Sequence, residues 1–308
     1  MVVARHYEVI IVGGGPAGLS AGLYATRAGL STLLLEKGIL GGQITNAELV
    51  ENYPGFSEGI SGFELGRLMA AQAVKFGLEI LNAEGLGVQV SGPDKMVNTS
   101  AGDYIAQALI LASGSDYIKL DVPGSELVGK GVSYCATCDG PLFENKAVAV
   151  VGGGDAAITE ALFLSKFAAR VSVVHRRGQL RAVTALQKRA FANPKMEFIW
   201  HSVVEAIKGN DRVRGLKLRN VKTGEVSSLE VDGIFIAVGL RPNTGYVKGF
   251  LDLTPGGFIP VNDSMETEIP GVFAAGDIRY NSARQVVTAA ADGAVAALSA
   301  VRYLSEQR

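Results

Sequence analysis

Two stretches of this chain repeat one local pattern at one spacing, and that repetition restricts the fold more than any other feature. A β-rich apolar run, Tyr7 to Val12, meets Gly13-Gly14-Gly15-Pro16-Ala17-Gly18; a helix-compatible stretch, Leu19 to Ala28, follows, and a second apolar run closes on Glu36. The middle of the chain does the same. Ala147 to Val151 leads into Gly152-Gly153-Gly154-Asp155-Ala156-Ala157, then a helix-like segment to Phe167, then a strand from Arg170 to Val174 that closes on His175-Arg176-Arg177. Glu36 and His175 each stand 23 positions after the first glycine of their turn. Gly-x-Gly-x-x-Gly is weak by itself. Between a strand and a helix it marks a βαβ dinucleotide-binding unit, because the glycines permit the tight turn and let backbone approach a pyrophosphate. Ala157 at the third position is a variant this fingerprint tolerates. The expected fold is α/β, with two Rossmann-like dinucleotide-binding domains.

The residues that close the two units differ in charge. A carboxylate at Glu36 accepts from both hydroxyls of an adenosine ribose and repels a 2′-phosphate, so the first site is expected to take FAD or NAD(H). The second closes on His175-Arg176-Arg177, with Arg181 one helical turn further on, and the guanidinium groups there pair with a 2′-phosphate, which favours NADP(H). A solvated basic face is the plain alternative for 175–181. The matched register with Glu36 is what favours the phosphate reading.

Composition excludes several classes. Apolar residues make up 48% of the chain and charged residues 19%, which no disordered chain matches. A net charge of -1 without a basic tail gives no general attraction to nucleic acid or to an anionic membrane surface. No uninterrupted apolar run in the sequence reaches the ~18 residues of a membrane span, and no signal-peptide pattern precedes Tyr7. A soluble, cytoplasmic protein is expected. The two cysteines are Cys135 and Cys138, in Cys-Ala-Thr-Cys. Structural zinc wants four Cys or His ligands, and His6, His175 and His201 form no second close pair, so no metal is expected. A redox-active dithiol is the leading reading.

Two strands run into glycine turns where the chain is expected to cross between domains: Tyr104 to Ala112 into Ser113-Gly114-Ser115, and Val231 to Val238 into Gly239-Leu240-Arg241-Pro242-Asn243. With linkers at 114–115 and 241–245, one domain comprises 1–114 and 246–308, and 115–245 is inserted into it. A further strand ends in Gly276-Asp277, and an alanine-rich helix from about Gln285 to Leu304 is expected to pack on the first domain. The cysteines lie 14 residues or so before Gly152 and so travel with the inserted domain.

Taken in order, Gly-Gly-Gly-Pro-Ala-Gly at 13–18, Gly41-Gly42-Gln43, Val50-Glu51-Asn52-Tyr53-Pro54-Gly55, Cys135-Ala136-Thr137-Cys138-Asp139-Gly140, His175-Arg176-Arg177 and Phe273-Ala274-Ala275-Gly276-Asp277 with Arg284-Gln285 span nearly the whole chain. This series resembles the low-molecular-weight, bacterial-type NADPH–thioredoxin reductases, a group of pyridine nucleotide-disulfide oxidoreductases. The resemblance implies a homodimeric flavoprotein with an FAD domain (1–114 and 246–308) and an inserted NADPH domain (115–245), passing electrons from NADPH through FAD and the Cys135–Cys138 disulfide to thioredoxin. It implies that Cys138 lies next to the flavin, that Cys135 attacks the protein substrate, and that Asp139 handles the proton; a turn aspartate before Gly140-Pro141 is the plain alternative for Asp139. Toward FAD it implies Gly13, Gly15, Pro16, Ala17 and Gly18 at the pyrophosphate, Glu36 at the ribose, Gly41, Gly42, Gln43, Asn52 and Gly114 along the flavin, Gly276 and Asp277 at the ribitol, and Arg284, Gln285 and Val286 at the pyrimidine end. Toward NADPH it implies Gly152, Gly154, Asp155 and Ala156 at the pyrophosphate and His175, Arg176, Arg177 and Arg181 at the 2′-phosphate. Ser113-Gly114 departs from the commoner Thr-Gly.

Because the disulfide and the nicotinamide travel in one domain and must serve one flavin, rotation of the inserted domain between half-reactions is expected. Two other readings keep the same motifs: an NADPH-dependent reductase of another dithiol protein, and a slow-turnover flavin redox sensor.

Overall fold

The computed structural model describes residues 5–47 and 49–307, so the outermost ends of the expected first domain, 1–4 and 308, lie outside the described residues. The chain divides into two compact units, one running to Asp116 and resuming at Arg241, the other Tyr117–Leu240.

In the first unit, strand β1 (Arg5–Val12) enters the first glycine turn, helix α1 (Pro16–Arg27) leaves it, and β2 (Thr32–Glu36) returns parallel to β1. Pro16 occupies the first helical position, where its fixed φ favours the helix and its missing N–H loses nothing. Helix α2 (Gly62–Lys75) leads to β3 (Glu79–Asn82), and β4 (Gly85–Ser91), β5 (Asp94–Thr99) and β6 (Gly102–Leu111) complete the sheet in the order β3-β2-β1-β6-β5-β4. Val9–Val12 of β1, Leu33–Leu35 of β2 and Ala108–Leu111 of β6 are apolar and buried, the continuous hydrophobic run of parallel strands covered on both faces.

Strand β7 (Ser115–Tyr117) takes the chain into the second unit. There β8 (Val132–Ser133), the short helix α3 (Ala136–Asp139), β9 (Ala147–Val151), α4 (Asp155–Leu164), β10 (Arg170–Val174), α5 (Thr184–Phe191) and β11 (Met196–Ile199) precede an antiparallel three-stranded sheet, β12 (Ser202–Lys208), β13 (Gly215–Asn220) and β14 (Val226–Leu229). Strand β15 (Gly233–Ile236) then joins a wholly parallel sheet, β11-β10-β9-β15-β8. Strand β16 (Leu240–Pro242) carries the chain back and pairs with β7.

The last elements, β17 (Val272–Ala274) and α6 (Val286–Glu306), complete the first unit; β17 lies parallel to the end of β6. Helix α6 is long and apolar enough to cross a membrane, although polar residues interrupt its apolar run. It instead packs along α1 so closely that a Cβ at Gly293 would lie 2.0 Å from the Ala17 oxygen. It also buries Asp292.

Residues 241–245, expected as a linker, are tied into the first unit. Asn243 donates its backbone N–H to Gly114 O at 3.0 Å and its side-chain amide to Ser113 O at 3.0 Å. Ser113 Oγ donates to Asn243 O at 3.0 Å and meets the hydroxyl of buried Tyr246 at 3.1 Å. The division therefore falls before Arg241 rather than after Gly245.

Candidate functional site

Each unit builds its glycine turn by the same sterics. Gly13 N–H donates to Leu35 O at 2.8 Å, and a Cβ there would lie 2.3 Å from Ala112 O just after β6. Gly152 N–H donates to Val174 O at 3.1 Å, and a Cβ there would lie 2.5 Å from Ala237 O after β15. Both residues hold positive φ, 112° and 154°. Glycine is thus required at 13 and 152 by the neighbouring strand. The next turn position that matters, Gly15 or Gly154, is the N-cap of α1 or α4, and neither is capped by a side chain. A methyl at Gly15 would meet nothing within 4 Å, and one at Gly154 only the Arg181 guanidinium at 4.0 Å. Uncapped first-turn N–H groups facing open space make a cradle for a phosphate.

Around the first turn, Glu36 accepts from Gly14 N–H at 2.6 Å and from Gly38 N–H at 2.7 Å, so its carboxylate is locked at the end of β2. It lines a cavity of about 480 Å³ with Ile39, Leu40, Phe63, Arg67 and Ile80. Gly41 N–H donates to Gly14 O at 2.8 Å, and a Cβ at Gly42 would lie 3.2 Å from Gly15 Cα, which brings 41–43 over the turn. Gln43 donates to Ser115 O and, at 3.1 Å, to Asp116 Oδ1. Asn52 donates to Gln285 Oε1 at 3.1 Å, and Val286 packs with Ile44, Val50 and Tyr53 beside it. Gly276 abuts Ala17: a Cβ would lie 2.9 Å from the Ala17 methyl. Asp277 follows, its carboxyl raised above the usual range by burial and holding a hydrogen bond from Ser282 Oγ at 3.0 Å. Gly114 has φ 66° and no neighbour near its Cβ position, and Arg284 lies 5.7 Å from the Phe258 ring centre.

Around the second turn, the loop 181–183 is fastened to the glycines. Gly153 O accepts from Arg181 and Ala182 N–H, and Asp155 accepts from Val183 N–H at 2.7 Å. That anchoring is what delivers Arg181 to Gly154. Ala156 is exposed in the first turn of α4. Arg176, Arg177 and Arg181 are exposed, and among the described residues none of their side chains forms an ion pair. His175 behaves differently from these arginines. The residue is 5% exposed, and its ring lies against Gly153, where a Cβ would be 2.4 Å away. Burial and the neighbouring arginines push its pKa down, so the imidazole is neutral near pH 7, and its buried Nε2 has no hydrogen-bond partner among the described residues. The four residues expected at the 2′-phosphate therefore separate into three exposed cations and one neutral wedge under the turn. Trp200 stacks on Phe198 at 5.3 Å behind it, as a packed tryptophan should.

Cys135 and Cys138 form a disulfide with Cα atoms 5.3 Å apart. Cys135 caps α3: its sulfur accepts from Cys138 N–H at 3.2 Å, while its own N–H donates to Ser133 Oγ at 3.1 Å. Asp139 follows, its carboxyl pushed up by burial against an opposing bond from Ser133. A carboxyl poised above its ordinary range beside a disulfide can carry a proton at pH values where exposed aspartates cannot.

A pyridine nucleotide-disulphide oxidoreductase family model matches residues 7–293, which takes in both turns and the disulfide. The chain belongs to that family. Among relatives of this oxidoreductase, the thioredoxin reductase of Bacillus subtilis is 47% identical over 304 residues, covering 98% of this chain and 96% of its own. The crystal structure of thioredoxin reductase from Streptococcus pyogenes is 46% identical, covers 98% of this chain and 99% of its own, and superposes with a TM-score of 0.94. The Lactococcus lactis thioredoxin reductase in its FR conformation is 43% identical, covers 97% and 99%, and gives a TM-score of 0.67.

Several partners of this oxidoreductase's site carry no sequence signal. Ser133, Ser282 and Ser113 read as ordinary loop serines. The Arg279–Asp292 ion pair, 2.6 Å, ties the 276–279 turn to α6, with Asp292 also accepting from Gly276 N–H at 3.1 Å. An acid within an otherwise apolar stretch of helix was the available clue to that pair.

Proposed function

We propose that this chain is an FAD-containing, NADPH-dependent thioredoxin reductase. The observation that carries the reading is the Cys135–Cys138 disulfide beside a carboxyl of raised pKa, in the same unit as a glycine turn flanked by Arg176, Arg177 and Arg181. The first unit, running to Asp116 and resuming at Arg241, would hold FAD through Gly13, Gly15, Pro16, Ala17, Gly18, Glu36, Gly41, Gly42, Gln43, Asn52, Gly114, Gly276, Asp277, Arg284, Gln285 and Val286. The inserted unit, Tyr117–Leu240, would hold NADPH through Gly152, Gly154, Asp155, Ala156 and the three arginines, with His175 shaping the turn from beneath. The open cradle at Gly15 and the cavity at Glu36 support the first assignment, and the open space at Gly154 beside Arg181 supports the second.

Bound FAD would supply a two-electron relay between nicotinamide and disulfide. The chain's own residues do the rest. Glu36 orients the ribose, the arginines select the phosphorylated nucleotide, and Asp139 holds a proton at its carboxyl for the departing thiolate. Cys135 exchanges with the protein substrate and Cys138 resolves the mixed disulfide. We read the inserted unit as turning about the 115–117 and 240–242 strands between half-reactions. Two solved reductases of near-equal identity to this chain differ in TM-score by 0.94 against 0.67, the spread expected of one fold adopting two dispositions. We infer a cytoplasmic homodimer, and light scattering should return twice the chain's 32.2 kDa.

The decisive assay is NADPH oxidation by the purified protein with and without thioredoxin, beside Cys138→Ser and NADH controls. Thioredoxin-dependent oxidation that the mutant loses and NADH supports poorly is the expected result. Flavin reduction by NADPH with no response to thioredoxin would keep the nucleotide assignments and overturn the partner.

A further inference from the structure

We propose that Thr137, between the two cysteines, is a working member of the exchange site: its hydroxyl donates a hydrogen bond to the Cys135 sulfur and, after reduction, holds that sulfur as the attacking thiolate. The proposal rests on the disulfide-reductase reading above. Thr137 Oγ1 lies 3.3 Å from Cys135 Sγ. In the disulfide neither sulfur carries a hydrogen, so the hydroxyl is the donor. The Cys138 N–H reaches the same sulfur at 3.2 Å, so two donors converge on Cys135.

A threonine inside a helical turn commonly turns its hydroxyl back onto a carbonyl of the preceding turn. Here the hydroxyl also reaches a sulfur. A hydrogen bond to a disulfide sulfur is weak, whereas one to a thiolate is charge-assisted and about twice as strong as a neutral one. The contact therefore gains strength at the moment the disulfide is reduced. This is the requirement for a group that favours the reactive form.

The Cys135 thiolate attacks one sulfur of the target disulfide; the target S–S bond breaks, a mixed disulfide forms, and the departing sulfur leaves as a thiolate that takes up a proton. The Cys138 thiolate then attacks Cys135 Sγ, closing the 135–138 bond and releasing the second target thiol. Two electrons pass from the enzyme dithiol to the target disulfide. Thr137 keeps its own proton throughout.

The test uses Cys138→Ser, in which Cys135 is the single thiol, carrying Thr137, Thr137→Val or Thr137→Ser. The rate of iodoacetamide alkylation is followed from pH 5 to 10 on the purified holoprotein. Thr137→Val is expected to move the midpoint up by about half to one unit, slowing alkylation below the midpoint about three- to ten-fold. Thr137→Ser, which keeps the donor, should stay within about two-fold of the parent. An unchanged midpoint in Thr137→Val would overturn the proposal. In the dithiol enzyme, Thr137→Val should slow thioredoxin reduction most at low pH and leave flavin reduction by NADPH unaltered. The alkylation readout needs no thioredoxin, so failure of the partner assignment and failure of the Thr137 proposal give different results.

Discussion

In the first unit the third position of the glycine turn is Gly18, where a Cβ would lie 1.8 Å from the Gly13 oxygen. In the second it is Ala157, whose methyl is buried and lies 2.6 Å from where a Cβ at Gly152 would be. The first glycines differ as well: φ is 112° at Gly13 and 154° at Gly152. The strands behind the turns also end on unlike residues. Glu36 hydrogen-bonds Gly14 and Gly38 from the edge of its turn, whereas His175 lies under Gly153 and leaves the charge to the arginines around it. One turn design thus accepts two helix approaches and two charge signs. What is kept between the units is the contact with the neighbouring strand, at Ala112 and at Ala237.

Swapping the third positions tests this most severely. Gly18→Ala places a methyl inside a backbone oxygen and should cost more than about 3 kcal/mol, enough to lose the flavin site or the fold. Ala157→Gly should cost about 1–2 kcal/mol, from helix propensity and a lost buried methyl. Chemical denaturation of both variants, with flavin absorbance for the first, measures the asymmetry. Similar losses in the two would mean that the turns are sterically alike.

Removing charge tests the second difference. Arg176→Ala with Arg177→Ala should raise KM for NADPH about 10- to 100-fold while leaving KM for NADH within about two-fold, because each charge-assisted bond to phosphate contributes about 1.5–3 kcal/mol before solvent screening. Steady-state kinetics with both nucleotides decide it. Glu36→Gln should weaken FAD retention about ten-fold, since two N–H groups lose an ionised acceptor and the ribose loses its carboxylate. Equilibrium dialysis of the flavin is the measurement.

The smallest effect concerns one carboxyl from each unit. Burial raises the folded-state pKa of both Asp139 and Asp277. The folded state then binds the proton more tightly than the unfolded one, so this contribution is present below the ordinary aspartate range and is lost as pH rises through the raised value. Asp139→Asn and Asp277→Asn should each gain stability relative to the parent between pH 4 and pH 8, by less than about 1 kcal/mol because solvent screens half-buried groups. A relative loss over that range would show that the carboxylates are stabilised by their surroundings.

The pattern of strand, glycine turn, helix and strand was legible at both places because it depends on neighbours within about thirty residues. So were the Cys-x-x-Cys pair and the contrast between Glu36 and the arginines, which are local matters of type and spacing. The sequence could not assign His175. It stood in the run expected at the 2′-phosphate, and only tertiary packing laid its ring under Gly153, where burial lowers its pKa. Nor could it find the division before Arg241, because the bonds that hold 241–245 in the first unit join residues some 130 positions apart. Asp292 and Arg279 meet across a helix and a turn, and Ser133 and Ser282 acquire their roles only by facing a buried carboxyl. Short-range sterics and charge type are written in the chain. Burial, and with it the protonation of Asp139, Asp277 and His175, exists only once distant segments have excluded water from them.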